Sequence, residues 1–266
     1  MANSPLDLVL PPTKIPSQNN MKNKILPLIL ALLGCLALPA NTASAQLTLE
    51  VDPSENWVGY MNVFNNDGGS KGGYVFGQSW GVPALSSVFA ASTLTLAPNF
   101  NAYTDSLNGN NNDRAFWTDS TDGGVTAGPL GNKWMEASTF VENNALIGSN
   151  VTFLGNLDSF NLLSPNYTAV AFIKALDPNA GYAAVINQFS VLSAAGPFSV
   201  SADLTSATGL IIQYGFMVSG INANPADAAT FGSAVVQTVP EPSTYALLAL
   251  GAAGLGAHLV RRRRQG

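Results

Sequence analysis

Residues 198–202 read Phe198-Ser199-Val200-Ser201-Ala202. Apolar side chains at every second position, with serines between, can bury one face and wet the other only if the chain is extended. The same period recurs along the chain. Leu94 and Leu96 alternate with Thr93 and Thr95, and Leu47, Leu49 and Val51 alternate with Thr48 and Glu50. Val151 and Phe153 point one way, Thr152 and Leu154 the other. One apolar face per strand is the signature of half-buried antiparallel strands. Runs rich in β-branched and aromatic residues, separated by Gly, Asn, Asp and Pro clusters, place strands at 47–51, 57–64, 74–80, 92–97, 133–142, 150–156, 167–176, 182–192, 196–203, 210–218 and 232–238. Nothing in 46–239 holds a 3.6-residue period for more than two turns, although short helical pieces fit near Val82–Ala90 and Pro225–Ala229. There is no internal repeat. The expected fold of 46–238 is therefore all-β, a two-layer antiparallel β-sandwich of jelly-roll type. The stretch from Asn99 to Gly131 breaks the rhythm and reads as the longest loop, of a length that is usually functional or disordered.

Both ends differ from this body. Met21-Lys22-Asn23-Lys24 is a short basic start, Ile25 to Leu38 is apolar, and Ala43-Ser44-Ala45 is a small-x-small cleavage site before Gln46. Together, 21–45 read as a secretory signal peptide. Residues 1–20 hold four prolines, Pro5, Pro11, Pro12 and Pro16, and read as an over-extended start or an unusually long leader. Cys35 is the single cysteine; Leu32-Leu33-Gly34-Cys35 loosely matches a lipoprotein site, but Leu33 is bulky there and the site at Ala45 is better. At the other end, 239–266 combine Pro240-Glu241-Pro242, an apolar run from Tyr245 to Val260 and Arg261-Arg262-Arg263-Arg264. The two prolines keep the motif extended. The apolar run would make roughly 24 Å of helix, slightly short of a ~30 Å hydrocarbon core, so it reads as a transmembrane helix. The four arginines stay on the cytoplasmic side.

This three-part end resembles the PEP-CTERM sorting domain of Gram-negative bacteria. The resemblance covers about a tenth of the chain. It implies recognition by an exosortase, an inner-membrane intermediate held by 245–260, and release to the cell surface or its polysaccharide matrix; the plainer alternative is a membrane anchor. Within the body, Trp57-Val58-Gly59-Tyr60-Met61-Asn62-Val63-Phe64 and Gly73-Tyr74-Val75-Phe76-Gly77-Gln78-Ser79-Trp80-Gly81 are similar to a group of PEP-CTERM proteins of polysaccharide-degrading, biofilm-forming bacteria. So are Gly131–Ala137, Ala171–Lys174 and Gln213–Phe216. That similarity supports the fold and implies no activity.

Charge and composition narrow the chemistry. The formal net charge of the whole chain is −5, but 46–239 hold four basic residues (Lys71, Arg114, Lys133 and Lys174) and fourteen acidic ones, a balance of −10. Such a body does not bind nucleic acid by phosphate neutralisation. His258, the single histidine, lies in the sorting segment, so 46–239 have neither His nor Cys. Ser-His-Asp and Cys-His catalysis and His-ligated metal sites are excluded there. Carboxylate-pair glycoside hydrolysis remains as an alternative. Glu136 and Glu142 share a strand face but stand about 20 Å apart, beyond the roughly 5–9.5 Å such pairs need. The expectation is a non-enzymatic surface or matrix protein, structural or adhesive, with extracellular polysaccharide as ligand. Sugars take aromatic faces and side-chain amides. Trp57, Trp80 and Trp134 fall in strands and read as core. Trp117 lies in the long loop, so Trp117, Tyr103 and Arg114 are the glycan-binding candidates. Asp105, Asp113, Asp119 and Asp122 in the same loop are oxygen ligands of the type Ca²⁺ takes, although their spacing matches no EF-hand and such residues also fill ordinary turns. No other cofactor is expected.

Overall fold

The computed structural model describes residues 46–108, 111–118, 128–163 and 165–239. The signal peptide, the 1–20 segment and the sorting segment from Pro240 onward lie outside them. The described chain forms twelve strands: β1 (Gln46–Leu49), β2 (Trp57–Asp67), β3 (Ser70–Trp80), β4 (Ser87–Ala90), β5 (Thr93–Leu96), β6 (Leu130–Glu142), β7 (Asn150–Phe160), β8 (Tyr167–Asp177), β9 (Ala183–Leu192), β10 (Gly196–Asp203), β11 (Ile211–Ala223) and β12 (Ala234–Gln237). Three short helices join them: α1 (Asn101–Asn108), α2 (Asn111–Trp117) and α3 (Ala228–Phe231).

The strands make two sheets. One runs β3-β2-β6-β11-β8-β9; in the other, β7 carries β10 on one side and β1 and β12 on the other, continuing to β5 and β4. From β5 onward the chain passes from sheet to sheet at nearly every step, giving β5-β12-β7-β10 against β6-β11-β8-β9. This is the strand order of a jelly roll, two Greek keys laid face to face. Strands β2, β3 and β4 widen its edges, while β1 lies beside β7 on the side that also carries β12. One pairing departs from the antiparallel expectation: β1 lies parallel to β7, with Leu47 beside Val151 and Leu49 beside Phe153.

The core sits between the sheets and follows the alternation. Leu94 and Leu96, Val151 and Phe153, and Phe198, Val200 and Ala202 are buried from one sheet; Ala169, Ala171 and Ile173 with Ile212, Tyr214 and Phe216 are buried from the other. On β8, Ala171 leaves room for the Phe216 ring of β11 beside it, and Ile173 lies beside Tyr214. Phe153 meets Tyr214 and Phe216 with ring centroids at 5.3 Å and Phe198 at 5.5 Å, edge-on, the arrangement aromatic quadrupoles favour. Trp57 packs on this cluster, stacked on Phe216 at 6.3 Å, and its indole N–H donates to the Asp52 carbonyl at 2.7 Å.

Three expectations are corrected. Val82–Ala90 is a 3-10 turn only to Leu85; Ser86 then takes a left-handed φ of 59° and turns Ser87–Ala90 into pairing with β5. The predicted apolar face of β1 is half lost to solvent, with Leu47 exposed and Leu49 partly buried. The stretch from Asn99 to Gly131 contains α1 and α2. Their cause is a second apolar cluster on β2 and β6 (Met61, Val63, Met135 and Ala137), covered by Leu85, Ala102 and Trp117. Asn222 fastens this cover. Fully buried, it donates to the Trp117 carbonyl at 2.8 Å and accepts the Lys133 N–H at 3.0 Å. Gly131 must be glycine here, because a Cβ would fall 2.4 Å from Asn222 and from the Trp117 carbonyl.

Candidate functional site

The sheet β3-β2-β6-β11-β8-β9 turns its inner face to the core, and register decides what its outer face shows. Across β6, β11, β8 and β9 the residues Glu142, Gln213, Lys174 and Asn187 form one row. The next row is Phe140, Gly215, Phe172 and Phe189. On β2, Tyr60 stands between Ser79 of β3 and Ser138 of β6. Polar groups thus adjoin an apolar row in which Phe140 and Phe172 are buried and Phe189 is exposed.

On this face lies a groove of about 820 Å³ that touches all six strands. Tyr74 and Ser79 come from β3, Tyr60 and Asn62 from β2, Ser138, Phe140 and Glu142 from β6, Gln213 from β11, Lys174 from β8 and Asn187 from β9. Five interstrand gaps of ~4.8 Å make it roughly 24 Å long, enough for an extended polymer. Three tyrosines mark its course: Tyr60 is 38% exposed, and Tyr74 and Tyr182 are each 61% exposed. Tyr182 belongs to the β8–β9 hairpin and has a left-handed φ of 62°, a conformation rarely given to a bulky residue. Its N–H donates to the Asp177 carbonyl at 2.9 Å. At the other end, Gly77 makes room. A Cβ there would lie 2.7 Å from the Tyr60 hydroxyl, 2.8 Å from Asn62 Oδ1 and 2.9 Å from the Tyr74 hydroxyl. Three polar tips therefore converge above one glycine.

The groove has one carboxylate, Glu142, which accepts from Gln213 Nε2 at 3.2 Å. Its cation is Lys174, whose ammonium lies 4.2 Å from the centroid of Phe172. Burial pulls the Lys174 pKa down, partly offset by the negative charge of Glu136. Glu136 itself pairs with Lys71 at 2.6 Å. A smaller cavity of 330 Å³ lies on the other sheet beside Val51 and Gly155.

The candidates read from the sequence are placed differently. Tyr103 is fully buried in α1; its hydroxyl donates to the Gly128 carbonyl, and burial, then Asp227, raise its pKa against a lowering hydrogen bond from Asn224. Trp117 is partly buried, with Phe116 at 4.8 Å and Phe76 and Trp80 at 6.2 Å. Arg114 sits in the last turn of α2, where its carbonyl receives the Thr118 N–H and hydroxyl. All three sit on α1 or α2, Trp117 packs on the cluster over β2 and β6, and none lines the groove. Asp105 and Asp113 fall on α1 and α2. Their side chains, and Asp119 and Asp122 altogether, lie outside the described residues. Among the described residues no group of three or more His, Cys, Asp or Glu is placed to hold a metal. Trp80 packs on the second cluster as expected, whereas Trp134 stands half-buried in line with Glu136 on the outer face, its N–H donating to Ser219 Oγ at 2.9 Å. Tyr182, Lys174, Gln213 and Asn187 were missed. Only β2 carried a signal, in the outward period of Val58, Tyr60 and Asn62.

After β12 the chain leaves the sandwich beside Val51, whose carbonyl accepts the Val239 N–H at 3.0 Å. Residues 238–264 match the PEP-CTERM protein-sorting motif. The motif is the exosortase recognition signal, and it implies export through a membrane intermediate to the cell surface or beyond. The match takes in Pro240, Glu241 and Pro242, the apolar run 245–260 and Arg261, Arg262, Arg263 and Arg264, all outside the described residues, as are Ala43 and Ala45. No curated protein and no solved structure matches the chain.

Proposed function

We propose that this is an exported surface or matrix protein of a Gram-negative bacterium that binds extracellular polysaccharide in the outer-sheet groove without acting on it. The observation that carries the reading is the set of three exposed tyrosines, Tyr60, Tyr74 and Tyr182, along a polar-edged groove about as long as the sheet is wide. Tyrosine faces take the C–H surfaces of sugars, while Asn62, Asn187, Gln213 and Ser138 offer the amide and hydroxyl groups that sugar hydroxyls need. The left-handed Tyr182 fits this reading, because strained residues gather at binding sites. The hydrolase alternative is disfavoured, since Glu142 has no carboxylate companion lining the groove and hydrolysis needs two.

In this scheme 21–45 direct secretion with cleavage after Ala45, 245–260 span the membrane, and an exosortase acts near Pro240–Pro242. The likeness of the body to other PEP-CTERM sandwich proteins is part of the same proposal. Calcium at Asp105, Asp113, Asp119 and Asp122 is a separate one, and the groove does not depend on it. The test is a polysaccharide array probed with the protein, with and without chelator, beside a Tyr60→Ala/Tyr182→Ala double variant. The reading expects binding to at least one polymer, lost in the variant and indifferent to chelator. Equal binding by a folded double variant overturns it. Surface material with an intact Arg tail by mass spectrometry would make the helix a plain anchor.

A further inference from the structure

We infer that the groove selects a polysaccharide carrying sparse anionic substituents, with Lys174 as the residue that reads them. The inference rests on the groove's being the binding site. Lys174 stands in the row Glu142-Gln213-Lys174-Asn187, and both of its neighbours in that row are uncharged amides. Its ammonium lies over the buried Phe172 ring, 4.2 Å from the centroid. Among the described residues no carboxylate lies within 4 Å of it; the ion pair on this sheet is Lys71 with Glu136. A cation taken partly out of water and left without a partner is held at a cost that an incoming anion relieves. Burial lowers the Lys174 pKa, and the negative charge of Glu136 offsets only part of that fall.

The surroundings set how many anions the groove accepts. The charged groups on this face are Glu142 and Glu136 on β6 and Lys71 on β3, the last already paired. Strands β11, β9 and β2 present Gln213, Asn187 and Asn62, and the phenols are Tyr60, Tyr74 and Tyr182. Glu142 lies two strands from Lys174, roughly 10 Å away, so a second anion one or two sugars along meets a carboxylate. The body, with its balance of −10, repels a densely charged polymer as a whole. One anion per groove is welcome, and a run of them is not.

The experiment compares a neutral glucan, the same glucan with a small fraction of its primary alcohols oxidised to carboxylates, the same glucan sparsely sulfated, and a fully oxidised form. The full chain is titrated with each, beside Lys174→Gln, Lys174→Arg and Tyr60→Ala/Tyr182→Ala. The expected order is sparse anionic over neutral over fully oxidised. Which sparse polymer binds best identifies the substituent as carboxylate or sulfate. Lys174→Gln weakens the sparse anionic polymer by about tenfold, the worth of one charge-assisted hydrogen bond, and leaves the neutral one unchanged; Lys174→Arg retains the preference. The preference also fades as pH rises through the lowered Lys174 pKa, because the anion needs the ammonium. Equal affinity of the wild type for neutral and sparse anionic polymers, or no loss in Lys174→Gln, overturns the inference while loss of all binding in the tyrosine variant upholds the groove. Unchanged binding in a folded tyrosine variant brings down the groove reading itself.

Discussion

Gly77→Ala separates the groove from the fold. The glycine has no positive φ and sits on β3 with its Cβ position on the open face of the sheet. Alanine there carries no backbone strain, and replacing an unstrained glycine stabilises a protein by about 0.4–1 kcal/mol through the unfolded chain. What the new methyl meets are the three tips at 2.7, 2.8 and 2.9 Å, from Tyr60, Asn62 and Tyr74. Carbon contacts settle near 3.5 Å, so each tip must withdraw by roughly 0.6–0.8 Å. All three are ends of flexible side chains, and the retreat costs the fold little. It costs a bound sugar its hydrogen bonds, which weaken steeply with misplacement. Two such bonds at about 0.5–1.5 kcal/mol each put the loss near 1–3 kcal/mol, or roughly five- to 150-fold in Kd. Calorimetric titration with the best polymer from the array, beside a thermal melt, reads both quantities. A melting temperature equal to or above that of the wild type with weakened binding is the expected pair. A folded Gly77→Ala protein that binds like the wild type refutes the placing of the site over Gly77.

Other predictions concern the scaffold. Tyr167 has a buried hydroxyl with no hydrogen-bond partner among the described residues, so Tyr167→Phe raises stability by about 1 kcal/mol in denaturant unfolding; a fall instead reveals a partner. Asn222→Ala strands the Lys133 N–H and the Trp117 carbonyl and lowers stability by about 2–4 kcal/mol, with α2 losing protection first in hydrogen exchange. Burial raises the pKa of Tyr167, and burial with Glu55 and Asp52 raises that of Tyr214. Their folded values exceed the unfolded value of about 10, so their contribution is fully present below that pH and is lost as pH climbs above it, where only the unfolded phenols ionise. Melts across the alkaline range test this, and Tyr214→Phe should blunt the alkaline fall.

Much of the sandwich was legible because alternation is a local property. Phe198-Ser199-Val200-Ser201-Ala202 states its own buried face, and the structure buries that face. β4 was less readable, since its pairing depends on the left-handed Ser86 that turns the chain back along β5. The helices α1 and α2 were hidden for another reason. Their Asn- and Asp-rich sequence favours turns, but the apolar cluster on β2 and β6 needs a cover, and Ala102 and Trp117 supply it. Tertiary demand there overrides local preference, and Tyr103 and Trp117 became structural residues in consequence. Little of the groove was legible as a site, beyond the outward period of Val58, Tyr60 and Asn62 on β2. Tyr60, Lys174 and Tyr182 come from different strands and a hairpin, and their meeting depends on β2-β6-β11-β8 lying side by side. Lys174 alone reads as the charge near the end of an apolar run, and Tyr182 as a turn residue.

The most direct measurement follows tyrosine ring resonances by NMR while an oligosaccharide of the bound polymer is titrated into the ring-labelled protein. Groove binding predicts shifts at Tyr60, Tyr74 and Tyr182, with the buried Tyr103, Tyr167 and Tyr214 unmoved. Saturating binding that leaves the three groove tyrosines still, or that moves Tyr103 and its neighbours instead, would contradict the account and return the site to the Trp117 region.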